Sequence, residues 1–239
     1  MLHGDQRGIF NLRFELPSVC ADQLASGETD IGIVPAIEMH RQRLEYFRGT
    51  GIACRGPVRT ILLISKTPFR EIRRLATDSG SRTSVMLSRV ILEEKFGVRP
   101  ALISRPADLA SMLGEADAAL IIGDAALRLD PEKLPFEALD LGAEWVALTG
   151  LPMVFAVWAG RKEMMQDGYQ RAFLDSCRYG LAHLDEIAKI ESVARDFPED
   201  LVRKYLTENI VFELGEREEQ GLRLYLERAS KLERQAIPA

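Results

Sequence analysis

The densest chemistry in this chain lies in Thr77 to Gly97, TDSGSRTSVMLSRVILEEKFG. Ser81, Thr83 and Ser84 bring three hydroxyls, and Arg82 a guanidinium, to what reads as the start of a helix. The first N–H groups of a helix have no acceptor within it and lie at the positive end of its dipole. Hydroxyls and a cation at that position can hold a carboxylate or a phosphate. Asp78, Ser79, Gly80 and Ser81 are turn and cap residues, and Ser79 or Ser81 would accept from the free N–H groups. The plainer reading is an ordinary, well-capped helix. Either way Val85 to Phe96 are apolar on most sides, and Gly97 is placed to stop the helix as a left-handed C′ residue.

The surrounding elements alternate. Asn11 to Leu16 alternates polar and apolar residues and predicts a strand. A helix opens at Pro17 and Ser18, then a short strand, Thr29 to Val34, ends at Pro35, which suits the first turn of a helix over Ala36 to Leu44. Gly49 to Pro57 reads as a turn-rich connection. Arg59 to Lys66 is nearly all apolar, the pattern of a strand buried on both faces. Arg74–Thr77, Ala101–Ser104, Ala118–Ile122 and Met153–Trp158 read as further strands, and everything after Gly160 reads as helix, ending with Glu216 to Leu232.

This order predicts an α/β protein whose chain leaves one lobe, builds a second and returns. Residues 1–67 with 148–239 would form the first lobe and 68–147 the second, with a ligand cleft between them. Ligands in such folds sit beyond the carboxyl ends of strands. The contacts expected there are Pro35, Ala36, Ile37 and Glu38, then Thr60, Ser81, Arg82, Thr83 and Ser84, then Gly123 and Asp124.

Composition narrows the function. The chain has 239 residues and a net charge of -5, which argues against general nucleic-acid or anionic-membrane binding. Local donors must therefore hold any anion against an unfavourable overall field. Three cysteines at wide spacings suggest a reducing compartment, and three histidines without paired spacing argue against a metal site. No apolar run approaches membrane-spanning length and the first residues hold no signal-peptide core, so the cytoplasm is expected.

Several stretches resemble the chorismate dehydratase family of the futalosine route to menaquinone. They are Thr77–Val85, Ala119–Leu127 (ALIIGDAAL), Leu139–Trp158 (LDLGAEWVALTGLPMVFAVW), Gly27–Glu38 (GETDIGIVPAIE) and Val58–Ser65 (VRTILLIS). Together they reach over nearly the whole chain. The resemblance implies the two-lobed fold of class II periplasmic solute-binding proteins, with helices at the C-terminus. It implies a lyase that removes water from chorismate to give 3-[(1-carboxyvinyl)oxy]benzoate, driven by aromatisation and needing neither metal nor redox cofactor. The partner is then a small dicarboxylate, and the protein a monomer or homodimer.

Under that reading Ser81, Thr83, Ser84 and the neighbouring N–H groups hold one carboxylate, and Thr60 supplies a hydroxyl where the family usually has a serine. Arg82 is the nearest cation. Glu38 and Asp124 are the candidates for proton transfer, beside a carboxylate of the substrate itself. As a helix-start carboxylate and a turn residue, both also have ordinary structural readings. Phe155 and Trp158 read as core, with one of them touching the ligand ring.

The family begins with a strand bearing a Tyr-Leu-Asn type motif, and Met1 stands just after that point. The expectation is a start codon placed late, which an N-terminus at Met1 in the native protein would defeat. Two rivals share the fold. The sister enzyme that releases 1,4-dihydroxy-6-naphthoate typically carries a histidine motif where this chain has Ile122-Gly123-Asp124. The other is a small-anion solute-binding protein without catalysis.

Overall fold

Two hydrogen-bonded sheets carry the fold in a computed structural model that describes residues 1, 3–78 and 80–235. The elements run α1 (Pro17–Ser26), β1 (Ile31–Pro35), α2 (Ala36–Gln42), β2 (Glu45–Cys54), β3 (Ile61–Ser65), β4 (Arg74–Thr77), α3 (Arg82–Phe96), β5 (Ala101–Ser104) and α4 (Leu109–Glu115). They continue with β6 (Ala118–Ile122), α5 (Asp124–Leu127), β7 (Glu137–Asp140), α6 (Leu141–Thr149), β8 (Met153–Gly160), α7 (Asp167–Ala182), α8 (Leu184–Arg195), α9 (Glu199–Lys204), β9 (Val211–Glu213) and α10 (Glu216–Gln235). The first sheet has the order β1-β8-β2-β9, with every pairing antiparallel. The second has the order β5-β4-β6-β3-β7; β4 pairs parallel with β5 and β6, while β3 runs antiparallel to β6 and β7.

The apolar run around Leu62 and Leu63 is a strand buried at every residue, as its composition requires. Its sheet differs from the expectation. Chain order had assigned it to the first lobe, whereas β3 is an inner strand of the second sheet, between β6 and β7. A strand buried on both faces has the same composition in either sheet.

Asn11 to Leu16 forms no strand, and Phe14 and Leu16 are 74% and 62% exposed. Alternation prepares a segment for a sheet, but the strand exists only where a neighbour supplies ladder partners. Residues 49–54 of the supposed connection are instead the second part of β2. Gly49 has φ 89°, and the β2–β8 register shifts between Tyr46 and Gly51 and again between Ile52 and Ala53. A Cβ on Gly51 would stand 2.6 Å from the Ala156 carbonyl oxygen, so this glycine marks a close approach of two strands. The C-terminal region is also not all helix, because β9 adds an edge strand to β2.

Helices α3, α6 and α10 pack around a core shared with the sheets. It includes Leu63, Leu75, Leu87, Ile91, Val157, Trp145 and Tyr225. The last helix buries Leu222, Tyr225 and Ala229 on its inner face. Gly97 has φ 72° and its N–H donates to the Glu93 carbonyl, the left-handed C′ position expected from sequence.

Both passages between the sheets converge on Asp140. Its Oδ1 accepts from Val58 N at 2.9 Å, and Oδ2 accepts from Arg59 N at 2.6 Å, on the outgoing passage. On the returning passage Oδ1 also accepts from Gly142 N at 2.9 Å and Ala143 N at 3.0 Å, capping α6. Replacing Asp140 by alanine strands four N–H groups. Asp140→Ala is expected to lower unfolding free energy by about 3 kcal/mol or more in urea titrations. A loss below about 1 kcal/mol would show that water replaces the carboxylate freely.

Candidate functional site

Helix α3 starts beyond the carboxyl end of β4, and α5 beyond the carboxyl end of β6, its parallel neighbour. Adjacent strands lie about 5 Å apart, so the two helix starts stand side by side at one end of the second sheet. Thr60 joins them: it precedes β3, whose Ile61 pairs with Ile122, and its carbonyl accepts from Gly123 N at 2.8 Å. Gly123 takes φ 66°, a left-handed value that glycine adopts without strain.

At the α3 mouth Ser81 occupies the cap position, yet its side chain makes no cap bond; its hydroxyl donates to Ser84 Oγ at 2.8 Å instead. Among the described residues no side chain accepts from the N–H groups of Arg82, Thr83 or Ser84. Ser79, the other expected cap, lies outside the described residues. Thr83 is buried and already committed, since its Oγ1 accepts from Ile37 N at 3.3 Å and its carbonyl accepts from the Tyr225 hydroxyl at 3.0 Å. It acts as a strut between α2 and α3. Pro35, Ala36 and Ile37 are buried at the junction of β1 and α2, so the chain end of β1 is brought against the α3 mouth.

Arg82 is held by acidic partners on two other helices. It bonds both Asp22 oxygens at 2.7 and 2.8 Å and lies 3.5 Å from Glu38 Oε2. Glu38 is buried, with Oε1 accepting from Arg41 at 3.0 Å and Oε2 from Gln42 at 2.9 Å. Arg41 also pairs with Glu233 at 2.7 Å. Both oxygens of Glu38 are therefore occupied, and the residue belongs to a charge cluster joining α1, α2, α3 and α10. Arg82 thus bridges α3 to α1 and α2, and Glu38 is held by side chains of α2 and α3.

Asp124 behaves differently. It is half-exposed, and Arg195 from α8 pairs with Oδ2 at 3.0 Å. Tyr205, which the sequence did not single out, stands beside it with its hydroxyl 3.2 Å from Thr60 Oγ1. Burial pushes the Tyr205 phenol above its ordinary pKa; the bond to Thr60 opposes this, and the Asp124 charge adds to it. Cys54, also near, is buried, and that burial raises its thiol to about 12, so it stays protonated and unreactive. Phe155 lies in the core on β8, between partners of β1 and β2, as its composition suggested. Among the described residues no group of three or more His, Cys, Asp or Glu side chains is placed to hold a metal.

The two groups of residues are close in the first sheet as well. Pro35 pairs with Ala156, and Cys54 with Met153, three residues apart on β8 and so within roughly 10 Å. The arrangement gives neutral hydroxyl and N–H donors on one side and a half-exposed carboxylate with two further hydroxyls on the other.

These features define a two-lobed α/β protein of the periplasmic-binding-protein kind. The periplasmic aliphatic sulphonate binding protein of Escherichia coli has this fold, with a TM-score of 0.62 at 15% identity over 95% of this chain and 82% of that one. A protein of known structure from Archaeoglobus fulgidus matches with a TM-score of 0.72 at 17% identity, covering 92% of this chain and 85% of that one. The family described as menaquinone biosynthesis matches residues 3–231, and the chain belongs to that family. A chorismate dehydratase of Thermus thermophilus is 29% identical over 236 residues, 91% of this chain and 86% of that protein.

Glu38→Gln tests the structural role. It keeps the volume and removes the charge that two guanidiniums share, so stability should fall by about 2 kcal/mol in chemical denaturation, less than for a fully buried pair because both arginines reach solvent. No measurable loss would mean that Asp22 and Glu233 alone satisfy the cluster.

Proposed function

We propose that this protein is a chorismate dehydratase that converts chorismate to 3-[(1-carboxyvinyl)oxy]benzoate in the cytoplasm. Membership of a menaquinone biosynthesis family and the similarity to the Thermus thermophilus enzyme support this reading. The observation that carries it is the α3 mouth, where among the described residues no side chain caps the first-turn N–H groups and the hydroxyls of Ser81 and Ser84 lie together. Such a mouth suits a substrate carboxylate.

The reaction loses one water and is redox-neutral. A base takes the ring proton from the carbon bearing the ether. The electrons of that C–H bond form the new ring double bond, and the neighbouring C–O bond breaks to release the hydroxyl as water. The ring becomes aromatic, which supplies the drive. The protein must orient the two leaving groups and place the base.

We assign the base to Asp124, whose Oδ1 has no hydrogen-bond partner among the described residues while Oδ2 is fixed by Arg195. Thr60 is assigned to the second carboxylate or to the leaving hydroxyl, because it is buried and its carbonyl is bonded to Gly123, the neighbour of Asp124.

Incubation with chorismate tests the reading directly. The expected outcome is loss of chorismate with stoichiometric growth of an aromatic enolpyruvyl ether, followed by absorbance and mass spectrometry. Ser84→Ala should lower kcat/KM by about tenfold to a hundredfold, the range for one hydrogen bond to a charged group. Asp124→Asn should lower kcat by at least about a hundredfold. Tight binding of chorismate without turnover would replace the enzyme reading by a solute-binding one.

A further inference from the structure

Tyr205 is presented by an unusual piece of backbone. Helix α9 ends at Lys204, and the chain continues as a π-turn, Tyr205–Asn209, closed by Ile210 N donating to the Tyr205 carbonyl at 3.2 Å. Such wide turns are rare and collect at functional positions. Asn209 Nδ2 donates to the Pro57 carbonyl at 2.9 Å, which ties the turn to the outgoing passage just ahead of Thr60. The ring packs against the main core, so only the hydroxyl is available for a polar role.

That hydroxyl stands 3.2 Å from Thr60 Oγ1. The other contact of the Thr60 hydroxyl is the Val58 carbonyl at 3.4 Å, close to the limit for a hydrogen bond. A threonine hydroxyl has one proton and two lone pairs. Its proton is weakly held by Val58, and an anionic oxygen within reach is the better acceptor. When the proton turns to that oxygen, Tyr205 donates to a lone pair on Oγ1. Two hydroxyls in series polarise one another, so the outer one becomes the stronger donor.

We propose that Tyr205 is a positioning residue for substrate binding: by donating to Thr60 Oγ1 it sets the Thr60 hydroxyl to donate to a substrate carboxylate. The inference rests on Thr60 as a substrate contact, as assigned above. Tyr205 does not touch the reacting atoms, so its loss weakens binding and leaves the chemical step alone.

Tyr205→Phe removes the hydroxyl and keeps the ring. KM for chorismate should rise roughly fivefold, the equivalent of one neutral hydrogen bond, with kcat changed by less than about twofold. Isophthalate, a ring dicarboxylate that cannot lose water, serves as a non-reacting probe, and its Kd by calorimetry should rise by the same factor. In a Thr60→Val background the Tyr205→Phe change should add less than about twofold to either quantity. Thr60→Ala is the alternative background should the valine variant not fold, and Thr60→Ser, which keeps the hydroxyl, must keep the full Tyr205→Phe penalty. Equal penalties with and without the Thr60 hydroxyl, or no penalty in the wild-type background, overturn the proposal. A protein that binds isophthalate but does not consume chorismate refutes the dehydratase reading alone, and the isophthalate cycle then still decides on Tyr205. A protein that binds neither compound refutes both.

Discussion

A single carboxylate holds the two passages between the sheets. A chain that leaves one sheet for another must bend, and at the bend its N–H groups lose their ladder partners. Asp140 meets that demand on both sides at once, accepting from Val58 and Arg59 on the way out and from Gly142 and Ala143 on the way back. The two passages are thereby fixed to each other, and Thr60 is fixed with them. The returning limb is locked further on, where the buried Trp145 donates from Nε1 to the Pro152 carbonyl at 3.1 Å. What faces what across the two sheets follows from these few bonds.

Charge is distributed in a way that the net value conceals. The chain is acidic overall, yet Arg82 at the start of α3 and Arg41 on α2 are already paired: Arg82 with Asp22 and Glu38, Arg41 with Glu38 and Glu233. An anion at that mouth meets neutral donors, the N–H groups of a 15-residue helix and the serine hydroxyls. Dipoles fixed by the fold need no reorganisation when a charge arrives, and they bind it without the desolvation cost of a buried guanidinium. The charge cluster clamps α3 against α1 and α2.

Much of the fold was legible in the sequence because the signals were local. The buried run at 61–65, the helix from Arg82 to its glycine stop at Gly97, and the buried strands at 118–122 and 153–160 each announce themselves within a few residues. The misreadings needed partners that a local pattern does not name. Asn11 to Leu16 has the alternation of a strand but no ladder beside it, and Gly49 and Gly51 look like a turn yet mark bulges and a close approach in β2. The hydroxyl-rich start of α3 is local and plain in the sequence, whereas the acidic partners of Arg82 lie 60 and 44 residues away and no local pattern names them. Tyr205 was invisible for a related reason: a π-turn has no composition of its own, and Thr60 is 145 residues distant.

The backbone at Arg59 shows how rigidly this arrangement is held. Its φ of 67° is a left-handed value for a residue with a side chain, a conformation that costs of order 1–2 kcal/mol. Glycine would relieve the strain but would lose the guanidinium, which donates to the Ala126 carbonyl at 3.1 Å and to the Leu129 carbonyl, at and just beyond the end of α5. Those bonds offset the strain and bind α5 to the outgoing passage. Asp124 at the start of α5 and Thr60 just ahead of β3 consequently belong to one braced unit, joined a second time through the Gly123 contact. A carboxylate and a hydroxyl held in this way keep a fixed separation, which is what the proposed roles of Asp124 as base and Thr60 as binding group require.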